Sequence, residues 1–235
     1  MSRPLPRLAI LACALALGCG SGGPYYRLDW AGLDTVTVAP GDSVPYEIAV
    51  QRIADNLGEV KIRTAAAPQG VTFGPDFSIP EGETLVRTTA TLTVSPSTRD
   101  YGVRALQLVA EDPANNVTAT GGISVALLEP PEPNPDFSIA VEPRQVNLIP
   151  GQRGVTTVTV TRAEGFTGPL VITLETPSKR LTADALTLEE GQTTAQIRVL
   201  PDRSLTGLPY IVKFVATAPD GRVAKTGFTF NVNQS

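Results

Sequence analysis

Cysteine and histidine decide first what chemistry this chain can carry. Its 235 residues hold no histidine and two cysteines, Cys13 and Cys19. Without an imidazole there is no Ser-His-Asp or Cys-His arrangement and no histidine-ligated metal. No Ser-x-x-Lys occurs. Ser178 and Lys179 are adjacent, so on a strand their side chains would point apart. No Gly-x-x-x-x-Gly-Lys loop is present to cradle a phosphate. The remaining candidates are carboxylate pairs, Glu189 with Glu190 and Glu81 with Glu83. Both lie beside glycine and read as solvated turns, so no catalytic residue is expected. A calcium site needs six to eight oxygens, several of them carboxylate. Neither Glu111–Asn116 nor Asp220-Gly221 supplies that set alone, and their Asp and Asn suit local turn hydrogen bonds. No metal is expected.

Cys19 is the one residue with a specific chemical context. A short basic start with Arg3 and Arg7 precedes an apolar run from Leu8 to Leu17. That is the length of a signal-peptide core and too short to span a bilayer. Ala16-Leu17-Gly18-Cys19 follows, then Gly20-Ser21-Gly22-Gly23. This resembles the lipobox of bacterial lipoproteins. The resemblance implies cleavage before Cys19, a diacylglyceryl thioether and an amide-linked chain on that residue, and no other cofactor. It further implies anchoring in a bacterial cell envelope, in the outer membrane if the organism has one. Acyl burial contributes about 0.8 kcal/mol per methylene, and more than one chain makes an anchor stable.

Composition bounds the rest. Formal net charge is −4, from 19 Lys and Arg against 23 Asp and Glu. The cations form no stripe, so nucleic acid is not an expected partner. Cys13 falls in the signal segment and Cys19 would carry lipid. A disulfide is therefore not available, and packing alone must stabilise the mature protein. Val, Thr, Gly and Pro are abundant, while helical periodicity is scarce, as in an all-β protein.

The chain also repeats itself, at a spacing of about 106 to 110 residues. Val36–Gly41 matches Val146–Gly151, and Tyr46–Arg52 matches Thr156–Arg162. Ile79–Thr84 matches Leu188–Thr193, and Leu108–Pro113 matches Phe214–Pro219. In the second copy, alternation and turn residues predict about seven strands, near 137–142, 155–162, 169–175, 185–188, 194–200, 209–217 and 223–232. Such spacing predicts a two-sheet sandwich. The expected division is a signal at 1–18, lipidated cysteine and tether at 19–27, sandwiches at 28–128 and 136–235, and a linker at 129–135. That linker holds four prolines and would form a semi-rigid strut of roughly 20 Å.

Asp136-Phe137-Ser138-Ile139, Pro150-Gly151-Gln152 and Gly165-Phe166-Thr167-Gly168 resemble the bacterial Ig-like repeats of secreted and surface proteins. The closing Tyr210–Ala218 run does too. The resemblance implies two tandem Ig-like β-sandwiches and a non-catalytic structural, adhesion or protein-binding role. Tyr210 then stands where a tyrosine corner would open strand F, and Arg104 replaces it in the first copy. The expected partners are the membrane, through the lipid, and a protein or glycan of the envelope or surface.

Two regions are candidates for contact. The loops containing Gly165, Phe166 and Thr167 and containing Asp202 and Arg203 would form a binding surface at one end of the second sandwich. Alternatively, Tyr25, Tyr26 and Trp30 would stack on carbohydrate or peptidoglycan, or rest at a membrane interface. The plainer reading of that cluster is that Trp30 plugs the first sandwich and the tyrosines start its first strand. Pro45 and Pro209, near strand starts, would guard sheet edges.

Overall fold

The computed structural model describes residues 27–31, 35–53, 57–132, 134–205, 207 and 209–232. Cys19, Tyr25 and Tyr26 lie outside them, as do residues 1–18. The described chain is all-β. Its first nine strands are β1 (Arg27–Ala31), β2 (Val36–Val38), β3 (Ser43–Ile53), β4 (Val60–Ala66), β5 (Val71–Gly74), β6 (Phe77–Ile79), β7 (Leu85–Val94), β8 (Gly102–Asp112) and β9 (Val117–Leu127). The next nine are β10 (Phe137–Glu142), β11 (Gln145–Leu148), β12 (Gly154–Arg162), β13 (Leu170–Glu175), β14 (Leu181–Ala183), β15 (Leu186–Leu188), β16 (Thr194–Pro201), β17 (Pro209–Thr217) and β18 (Val223–Val232).

The two sets have one topology. The first forms sheets β1-β3-β7-β5 and β2-β9-β8-β4-β6, the second β10-β12-β16-β14 and β11-β18-β17-β13-β15. In the second set, β10, β12, β16 and β14 occupy the positions of strands A, B, E and D of an Ig sandwich, and β13, β17 and β18 those of C, F and G. The protein is therefore two tandem Ig-like sandwiches. The contact pattern likewise divides the chain into two compact units, the second built mainly of Ala126–Ser235.

The alternation that suggested strands also builds the cores. In β12 the inward positions are Thr156, Val158 and Val160, with exposed Thr157, Thr159 and Thr161 between them. Phe137, Phe214, Phe228 and Phe230 are buried in the same core and come from both sheets. Each such burial contributes roughly 1.5–3 kcal/mol. In the first unit Val50, Val60, Ile62, Ile79 and Ala110 form a core cluster from both of its sheets.

Two strands of the second set were not anticipated. The chain leaves β10 at Pro143 and switches sheets, so that β11 runs parallel to β18. It switches again between β14, paired with β16, and β15, paired with β13. Both β11 and β14 are short edge strands, too brief for alternation to mark them.

The described part of the linker is tied to the second unit. Glu132 N donates to Lys225 O at 3.3 Å, and Asn134 Nδ2 to Val223 O at 2.8 Å. Lys213 Nζ meets Glu129 at 2.5 Å. These contacts run beside the stretch of β18 that β11 leaves unpaired, since β11 reaches only Thr229–Val232. An unpaired edge is thereby covered. Pro45 and Pro209 sit on β3 and β17 beyond the reach of one neighbouring strand, β1 and β13 respectively.

Candidate functional site

The two predicted contact loops lie at opposite ends of the second sandwich, which corrects the expectation of one surface. Gly151 and Gly154 lead into β12, and Gly165 and Phe166 follow its end. Nine extended residues, about 27 Å at ~3.0 Å each for a twisted strand, separate them.

At the Phe166 end the loop is held, not free. Phe166 stacks on Phe137 with centroids 5.0 Å apart. The guanidiniums of Arg162 and Arg222 lie over its ring at 5.5 and 5.3 Å. Arg222 in turn ion-pairs with Asp136 and Asp220. The hydrogen bonds from Arg222 hold the Asp220 carboxyl below its ordinary range and push the guanidinium upward. Gly165 takes a positive φ of 85°, which the turn requires. Thr167 is exposed.

The Asp202 end is an open groove of about 410 Å³, lined by Lys179, Arg180, Thr182, Leu200, Asp202 and Arg203. Three backbone bonds build it. Gly151 N donates to Pro201 O at 2.8 Å, Asp202 N to Arg180 O at 2.7 Å, and Leu205 N to Asp202 O at 3.0 Å. Asp202 accepts from the amide and hydroxyl of Ser204, which depress its carboxyl, with Arg180 adding to the effect. The stem of Arg203 rests over Gly151, where any Cβ would come within 2.7 Å of it. Sequence reading found Asp202 and Arg203 but missed Lys179 and Arg180. Aligning the two copies residue by residue is the signal that would have found them.

The first copy builds the same frame. Gly41 N donates to Val94 O at 3.0 Å, Ser95 N to Gly70 O at 2.7 Å, and Thr98 N to Ser95 O at 3.0 Å. Strand registers agree, since Val71 pairs with Val94 as Leu181 pairs with Pro201. The frames therefore superimpose Gln69 on Lys179, Gly70 on Arg180, and Pro96 on Arg203. Ser43 likewise matches Arg153, and Thr91 matches Arg198. Each of these five cations, Arg153, Lys179, Arg180, Arg198 and Arg203, stands where the first copy has an uncharged residue.

Trp30 is half-buried in β1, opposite Val50, and packs against the first unit's core. Its ring covers Gly121, where an added Cβ would lie 2.8 Å from the indole. Asp112, in the loop considered for calcium, accepts from the Asn115 amide and side chain and faces Arg52. Among the described residues, no three Asp, Glu, Cys or His side chains are grouped as metal ligands. Tyr210 is half-buried against the second core as the second residue of β17.

No family model matches the chain, and no curated protein sequence matches it. Solved structures resemble it weakly. A protein of unknown function from Porphyromonas gingivalis W83 is 13% identical, with 87% of this chain and 99% of that one covered and a TM-score of 0.36. The D00-D0 domain of intimin is 13% identical over 87% and 99%, with a TM-score of 0.34. Domains 4 and 5 of the S-layer protein SbsC are 14% identical over 78% and 82%, with a TM-score of 0.31.

Proposed function

We propose that this protein is a non-catalytic, lipid-anchored module of the bacterial cell envelope, which binds a partner rather than transforming one. The observation that carries the reading is the duplicated frame. One backbone arrangement is built twice, while Gln69, Gly70 and Pro96 of the first copy give way to Lys179, Arg180 and Arg203 in the groove of the second. A scaffold that keeps its frame and varies its surface suits presentation and binding. Cys19 supplies the attachment, with acyl chains in the membrane and the glycine-serine tether leading to the first sandwich.

The attachment is tested by growing a bacterial host with an alkyne-tagged palmitate and fractionating the cells. The wild-type chain is expected to take up the label and sediment with membranes. Cys19→Ala is expected to be unlabelled and to keep its uncleaved leader, running larger than the wild type. An unlabelled wild type, or a labelled Cys19→Ala chain, would overturn the anchor. Partner capture by cross-linking on intact cells then separates an envelope partner from a purely structural role.

A further inference from the structure

We infer that the groove at the Asp202 end of the second sandwich binds an acidic polysaccharide, a chain of sugars bearing carboxylates. The inference rests on the binding-module reading above and names the ligand class. Its first support is that the cations are dispensable to the fold. The first copy makes the same three backbone bonds with Gln69, Gly70 and Pro96 where the second has Lys179, Arg180 and Arg203. Desolvation and mutual repulsion make like charges gathered at one site unfavourable unless something anionic meets them.

The second support is that these charges are not spent within the molecule. Among the described residues Lys179 and Arg203 in the groove lining, and Arg153 and Arg198 on the adjoining sheet face, have no ion-pair partner, whereas Arg222, Lys213 and Lys225 all do. The third is the mixture of groups. Asp202 offers an acceptor inside the cationic groove, with Oδ1 already engaged by Ser204. Thr182 also lines the groove, its hydroxyl directed to Leu200 O at 3.5 Å. A bare phosphate array would be repelled by Asp202, while a sugar acid brings carboxylates for the cations and hydroxyls for the carboxylate. The groove is concave, which suits a chain more than a flat lipid surface. Its 410 Å³ falls within the ~300–1,000 Å³ of ordinary ligand sites.

The test uses the full chain in detergent and affinity electrophoresis through gels containing polygalacturonate. Retardation is expected there and not in gels containing neutral dextran, and it should weaken as salt rises. The variant Arg153→Ser/Lys179→Gln/Arg203→Ser, two of whose replacements the first copy already carries in this frame, is expected to lose at least tenfold in affinity. A control removing two cations of the first unit, Lys61→Ala/Arg87→Ala, is expected to stay within twofold. No retardation, equal retardation of the triple variant, or sedimentation with phosphatidylglycerol vesicles without polygalacturonate binding would each overturn the inference. Palmitate labelling reads the anchor separately, so failure of the groove and failure of the anchor are distinguishable.

Discussion

Arg52 and Arg162 occupy the same place in the two sandwiches, yet one is sealed and the other is half open. Each sits at the end of strand B. Each sends one guanidinium nitrogen to a carbonyl six residues on, Gly58 or Gly168, and another to the turn before strand E, Pro80 or Glu189. Arg52 is fully buried, donates also to Glu83 O at 2.7 and 3.1 Å, and faces a fully buried Asp112 at 3.5 Å. Arg162 has Ala218 where Asp112 would be, and rests its charge on the Phe166 ring. Its Nε has no acceptor among the described residues. A buried charge must be matched on every side. Arg162, half-exposed as a residue, holds two carbonyls and a ring and leaves its buried Nε unpartnered among the described residues.

That comparison can be broken in a definite order. Arg52→Ala strands the Asp112 carboxylate in the interior, and removal of one partner of a buried pair costs about 3–5 kcal/mol. Urea unfolding of the full chain should show the first unit melting early. Asp112→Ala should cost less, about 1–3 kcal/mol, because the carbonyls of Gly58, Pro80 and Glu83 still accept from the guanidinium. Equal losses for the two variants would mean that the ion pair, rather than the carbonyl clamp, holds the loops. Arg162→Ala should cost about 1–2 kcal/mol, made of two carbonyl bonds and a cation–π contact of about 0.5–1 kcal/mol, read in the second unit's transition.

Smaller effects sharpen the same contrast. Lys213→Ala removes a partly exposed pair with Glu129 and should cost no more than about 1 kcal/mol. Asp220 is held below its ordinary value of 3.8 by Arg222. Its contribution is thus present above the unfolded-state value and is lost as pH falls through the lower folded one, so it fades only in acid below about pH 4. Carboxyl NMR titration should place the Asp220 midpoint below 3.8, and Arg222→Ala should return it toward that value.

Much of this fold was legible in the residues. Val and Thr alternation located β12 and β16, because one face of each is buried and the other is wet, whereas the second face of β17 is half-buried and Thr229 and Asn231 bury that of β18. The internal match of Arg52 with Arg162 was visible too. The roles of those arginines were not, since their acceptors are carbonyls that only the folded loops bring together. The strands β11 and β14 escaped because three or four residues carry too little pattern by themselves, while the equally short β15 was marked by the Glu190-Gly191 turn after it. The separation of the Phe166 and Asp202 loops was hidden for a different reason: sequence gives the order of loops, while the antiparallel course of the strands decides which ends they share.

The central claim is that one frame serves both copies and that the cations of the second are surface chemistry laid upon it. Urea unfolding of Arg153→Ser/Lys179→Gln/Arg203→Ser tests this most directly. Substitutions on a surface that the frame does not need should leave the second unit's stability within about 0.5 kcal/mol per site, with an unchanged denaturant slope. A loss above about 3 kcal/mol, or a second unit that no longer unfolds cooperatively, would mean that the cations hold the loops together and that the groove is architecture rather than a binding site.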